Sequence, residues 1–132
     1  MRVNFDLTKL PDAMLDLFLS SVLKNAPAHK LHQAVDNALL SEKFRRSRMR
    51  AGKPEEPEVT LTIPILPLVE LEQASVGLAL SIAALEIKTV EAEGDTTRQS
   101  ELAVALEFLH AVLASVKAEH AMLGDMGSSQ VN

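Results

Sequence analysis

Three groups of residues in this chain have the types and the spacing to do chemistry. His29 and His32 stand three apart, and Asp36 follows four residues on. A helix brings all three to one side, which makes a possible metal face. Glu107-Phe108-Leu109-His110 is a Glu-x-x-His, the unit that di-metal helix bundles use. A complete site of that kind needs a second unit and two more carboxylates. A second copy of the chain would supply the unit, and Glu86 falls about one turn away if the flanking helices fold back on each other. Each group also has a plainer reading. His29 and His32 sit beside Lys30 and Gln33 on a solvated face, and Glu107 and His110 flank an apolar seam without facing it. His120 interrupts that seam, as a pH switch would, or as a residue reaching water near a helix end. There is no cysteine, no Gly-x-Ser-x-Gly and no glycine-rich phosphate loop. Thiolate ligation and disulfides are therefore excluded, and nothing supports a nucleophilic triad. The expectation is a protein that is not an enzyme, with no catalytic residue, metal or cofactor.

The strongest local signal is basic. Lys43, Arg45, Arg46, Arg48, Arg50 and Lys53 hold six of the thirteen Lys/Arg, with no acid among them. Such a run is able to track phosphates or an acidic partner. It has little aromatic interleaving, so stacking on single strands is not expected. Its plainer reading is a solvated helix end, where cations are favoured, paired with Glu55, Glu56 and Glu58. The run belongs to a wider asymmetry. Residues 1–53 carry ten Lys/Arg against five Asp/Glu, and residues 59–132 carry three against ten. A basic front and an acidic back imply different partners, or one protomer's front meeting another's back.

The elements that would position these residues follow from periodicity. Leu102, Leu106, Leu109, Leu113, Val116, His120 and Leu123 are spaced four and three alternately, one heptad seam. Leu68, Leu71, Ser75, Leu78, Ile82, Leu85 and Thr89 form a matching seam before it. Pro67 opens the first helix, Gly94 suits the left-handed residue after its end, and Asp95, Thr96 or Thr97 caps the second. So short a turn makes the pair antiparallel. Residues 67–123 thus read as a long helical hairpin, each arm roughly 40 Å long. Ahead of it, residues 1–53 read as strand 2–8, a helix from Pro11 to about Lys24, and a second from about Ala28 to the middle forties, running out into the basic run. Residues 54–66 read as a proline-bounded linker and a strand over 58–65, with Val59, Leu61, Ile63 and Ile65 inward. Residues 124–132 read as a flexible tail. The fold class is mainly α, with a minor two-stranded β element.

Apolar residues make up 47% of the chain but only four are aromatic, all Phe, so the core is aliphatic. The opening residues do not read as a signal peptide. The longest uncharged stretch, Gln73–Leu85, has 13 residues against the ~20 of a membrane span. No membrane contact and a cytoplasmic location are expected, in a bacterial or phage setting. Each arm also has more apolar surface than one seam uses: Val76, Leu80 and Ile87 on the first, Val104, Phe108 and Val112 on the second. Ser75, Ala79 and Ala83 recur every four residues, letting another helix approach closely. Val76, Ala79, Leu80, Ala83, Ile87, Val104, Phe108 and Val112 are therefore the expected oligomer interface. The function expected is that of a homo-oligomeric interaction protein, a small adaptor, regulator or inhibitor binding another macromolecule.

One resemblance bears on the alternative. Strand, helix, short turn and helix over residues 2–44 is similar in order to ribbon-helix-helix DNA-binding domains. The resemblance implies two N-terminal strands paired across a dimer, with Arg2, Asn4 and Asp6 entering the major groove. In that case the protein would be a dimeric DNA-binding regulator with a C-terminal oligomerisation hairpin.

Overall fold

The computed structural model describes residues 2–12, 14–15, 29–52 and 58–131, and for residues 29 and 124–131 the backbone alone. Three long helices account for most of it: α1 (His29–Arg50), α2 (Leu68–Glu91) and α3 (Thr96–Val131). A single 3-10 turn, Leu7–Lys9, precedes them. The chain is mainly helical. Of the helix expected from Pro11 to Lys24, all but Pro11, Asp12, Met14 and Leu15 lies outside the described residues.

Helices α2 and α3 pack along each other. Gln99 Nε2 donates to Thr89 O beside the turn, and His120 meets Glu72 at the far end. Those two contacts require the chain to reverse. The reversal is local chemistry. Gly94 takes a φ of 94°, a left-handed conformation that costs glycine little. The Asp95 carboxylate then accepts from the Arg98 amide at 3.1 Å, satisfying one of the donors a helix start leaves unpaired. Leu71, Leu78, Ile82 and Leu85 of the expected α2 seam are buried, while Leu68 at its start is exposed. In α3 the buried residues are Leu102, Ala105, Phe108, Leu109, Val112 and Val116, and Leu106 and Leu113 are only half-buried. The buried arc of α3 is thus turned from its heptad line toward the N-terminal part of the chain.

That part closes over α3. The Phe5 and Phe108 rings meet edge to face, 5.3 Å apart at 64°. Val3, Leu7 and Leu10, α1's Leu31, Val35 and Leu39, and Leu61, Ile63 and Leu66 join the same core. Close packing of this kind holds because each buried apolar side chain contributes roughly 1.5–3 kcal/mol.

Three expectations need correction. The two-stranded element is reduced, among the described residues, to one antiparallel bridge between Arg2 and Thr62, with the Val3 amide donating to Leu61 O at 3.0 Å. No ladder grows from it. At one side the Asp6 carboxylate accepts from the Thr8 amide and hydroxyl and turns the chain into the 3-10 helix. At the other, Pro64 has no amide to donate. The in-out alternation survives to Ile63 and breaks at Pro64: Ile65 is 84% exposed and Leu66 is buried in its place. Helix α1 does not run out in the middle forties but reaches Arg50, so the basic run is helical up to that residue. After Leu123, where the flexible tail was expected, the backbone is helical to Val131. Once a helix is formed each added residue gains a hydrogen bond, and Gly124 and Gly127, unlike proline, only tax it.

Candidate functional site

Five of the six residues of the basic run lie on α1, and helix geometry gives them different fates. Arg45 points inward and is nearly buried beside Glu42, which is fully buried. Its Nε and Nη2 donate to the Glu42 carboxylate at 2.8 and 2.6 Å. Arg46 donates through Nε to Glu42, through Nη1 to Asp12 and through Nη2 to the Leu7 and Thr8 carbonyls. Arg50 reaches the other Asp12 oxygen at 2.7 Å. Lys43 and Arg48 lie on the exposed side of α1; Lys53 lies outside the described residues.

The electrostatics match this geometry. Burial pushes the Glu42 carboxyl up, but the hydrogen bonds from Arg45 and Arg46 overcome it and hold the group below its ordinary range. The hydrogen bond to Glu42 in turn raises the pKa of Arg45. The Arg46 hydrogen bond holds Asp12 below the usual carboxylate range, with Arg50 and Arg46 adding charge attraction. Arg46 thereby clasps residues 7–12 to α1. The run read as a phosphate track is, in its Arg45–Arg46 half, an internal ion-pair network. Glu42 is the residue that a reading by charge runs misses: it stands one turn before Arg45 and Arg46, at the i, i+3 and i, i+4 spacings that pair on a helix.

The candidate metal groups do not assemble among the described residues, where no three His, Asp or Glu side chains come together. His32 Nδ1 lies 3.5 Å from Asp36, while the His29 side chain is outside the described set. Glu86, Glu107 and His110 are exposed. His120 Nε2 lies 3.3 Å from Glu72, so the residue that interrupts the seam ends the α2–α3 contact with a polar pair. Arg2, Asn4 and Asp6 face solvent as the ribbon-helix-helix resemblance requires. Their backbone does not: it bridges to residues 61–62 of the same chain.

The expected oligomer interface divides between the two helices. On α3, Phe108 and Val112 are buried and Val104 is half-buried. They belong to the core of the chain under Phe5 and are not surface. On α2, Val76, Leu80 and Ile87 are each about 60% exposed, and Ala79 and Ala83 are exposed too. Val69 and Val90, at 63% and 72%, extend the line. Val69, Val76, Leu80, Ala83, Ile87 and Val90 fall on one heptad register, with Gln73 as its polar position. Tight approach on the inner side of α2 uses the other small row, Gly77 and Ser81, both buried, with Ser81 Oγ donating to Gly77 O.

By length and composition α2 is apolar enough to cross a membrane; its inner face nonetheless packs on α3. No protein-family model matches the chain, and neither a curated protein nor a solved structure matches it.

Proposed function

We propose that this is a non-enzymatic, self-associating helical interaction protein, with the outward face of α2 as its working surface and the α2–α3 hairpin as its assembly element. The observation that carries this reading is the exposed heptad line Val69, Val76, Leu80, Ala83, Ile87 and Val90. A helix apolar on two opposite sides is buried on two sides in its working state, and a contiguous apolar patch marks an interaction site. Its role is that of a small adaptor, regulator or inhibitor acting in the cytoplasm on another macromolecule. The alternative, a DNA-binding regulator, loses support because Arg45 and Arg46 are turned into the Glu42 and Asp12 pairs.

Sedimentation equilibrium at tens of micromolar tests the reading. The expected mass is a multiple of the 14.3 kDa chain, returning to one chain in Leu80→Asp. A wild-type mass of 14.3 kDa at every concentration contradicts it. A gel shift of duplex DNA at low salt, lost in Arg48→Gln/Arg50→Gln, would restore the alternative.

A further inference from the structure

The exposed line on α2 has acidic borders. Glu72 and Glu86 are exposed along one edge, Glu91 lies at its C-terminal end, and Lys88 is the one basic residue of the helix. Two copies pairing α2 against α2, parallel or antiparallel, would set mainly acidic edges together, which costs free energy when those edges are desolvated. The protein carries a second apolar surface of opposite character. Leu40 and Phe44, one turn apart on the outward side of α1, are 50% and 54% exposed. Lys43 and Arg48 stand exposed beside them, and Asp36, one turn before Leu40, is paired with His32.

We infer that the occupant of the α2 face is the α1 face of a second copy, joined head to tail. This deepens the proposed self-association and rests on it. Charge selects the pairing: a basic-bordered face meets an acidic-bordered one. Shape agrees. Val76, Ala79, Leu80 and Ala83 are related as i, i+3, i+4 and i+7, the four corners of a hole that receives a knob from a facing helix. Two of the corners are alanine, so the hole is roomy, and Phe44 is the bulky exposed side chain on the facing surface. After pairing, the pair as a whole keeps one unused face of each kind. The assembly is therefore heterologous, and it grows until it closes into a ring or continues as a filament.

Mixing two broken copies tests this directly. Phe44→Glu destroys the α1 face and leaves α2 intact; Leu80→Asp does the reverse. Both residues are exposed, and matched far-ultraviolet circular dichroism verifies folding. Each variant alone is expected to sediment as one chain, and the equimolar mixture as a capped pair of twice the 14.3 kDa mass. Adding salt is expected to weaken the mixed pair by about tenfold or more, because charges at the rim are screened. If Phe44→Glu alone still forms dimers, α2 pairs with α2 and the head-to-tail inference is overturned while self-association stands. If both variants and their mixture stay single chains although wild type associates, the inference also fails. A wild-type protein that never associates removes both readings.

Discussion

Helices α2 and α3 begin from the same kind of sequence and end in different circumstances. Both carry a heptad seam, and both carry large apolar residues off it. On α3 the surplus, Phe108 and Val112, is fully buried, capped by Phe5. On α2 the surplus, Val76, Leu80 and Ile87, stays about 60% exposed. The difference teaches that surplus apolar surface does not itself indicate a partner chain. The N-terminal segment is short and has its own apolar face to bury, and it spends that face on α3. What it leaves uncovered is the outward face of α2, the surface on which the proposed self-association rests.

The comparison is broken most severely from the α3 side. Phe108→Ala removes a ring that is fully buried and is expected to lower the unfolding free energy by roughly 3–5 kcal/mol, read from urea melts. A loss under 1 kcal/mol would mean that Phe5 does not seal α3. Next comes the clasp that holds the N-terminal segment there. Glu42→Gln leaves Arg45 charged, nearly buried and without its anion, at a cost of about 3 kcal/mol. Arg46 also loses one anchor, so increased protease cleavage within residues 2–12 is expected. Unchanged melts would show that the network is incidental.

Protonation should weaken the same clasp more gently. The folded-state pKa values of Glu42 and Asp12 both lie below their ordinary values of 4.5 and 3.8. A depressed carboxylate contributes stability that is complete above its unfolded pKa and is lost as pH falls through the folded one. Stability attributable to the clasp is therefore expected to be level above about pH 5 and to fall below it. In the Glu42→Gln/Asp12→Asn double variant that acid slope should flatten. An equally steep slope would assign it to other carboxylates.

The smallest effect is expected on the exposed side of α2. Leu80→Ser and Ala79→Leu should leave the unfolding free energy of the dilute chain within about 0.5 kcal/mol. The overpacking cost of Ala79→Leu, about 1–3 kcal/mol, should appear only at concentrations where copies associate. A large loss at high dilution would mean that another part of the chain covers α2.

How much of this was legible in the sequence depends on how local the cause was. Leu71, Leu78, Ile82 and Leu85 and the turn at Gly94 are set by spacing and backbone preference and are readable, while the cap is narrowed by sequence only to Asp95, Thr96 or Thr97. The in-out order of Val3, Phe5 and Leu7 and of Val59, Leu61 and Ile63 was readable as well. Among the described residues the expected ladder is absent, because Asp6 and Pro64 end the pairing on either side of one bridge. The burial of Phe108 was beyond a single-helix reading, since it depends on Phe5, a residue far away in the chain. The basic run misled for a related reason. Counting Arg45 and Arg46 as a surface charge patch ignores Glu42 one turn back and Asp12, which is 34 residues from Arg46 in sequence.

That separation governs the order in which the molecule is built. Arg46 ties residues 38 and 39 positions away through Thr8 O and Leu7 O, so the clasp closes a loop of nearly forty residues. The α2 end, by contrast, meets α3 across four connecting residues, beginning with a contact ten positions apart. Loop closure grows more costly with length, and chains with nearer contacts form them sooner. The hairpin is therefore expected to form first and the N-terminal clasp last. In that order of events α3 would stay as bare as α2, with Phe108 open to aggregation, until Arg46 reaches its anions.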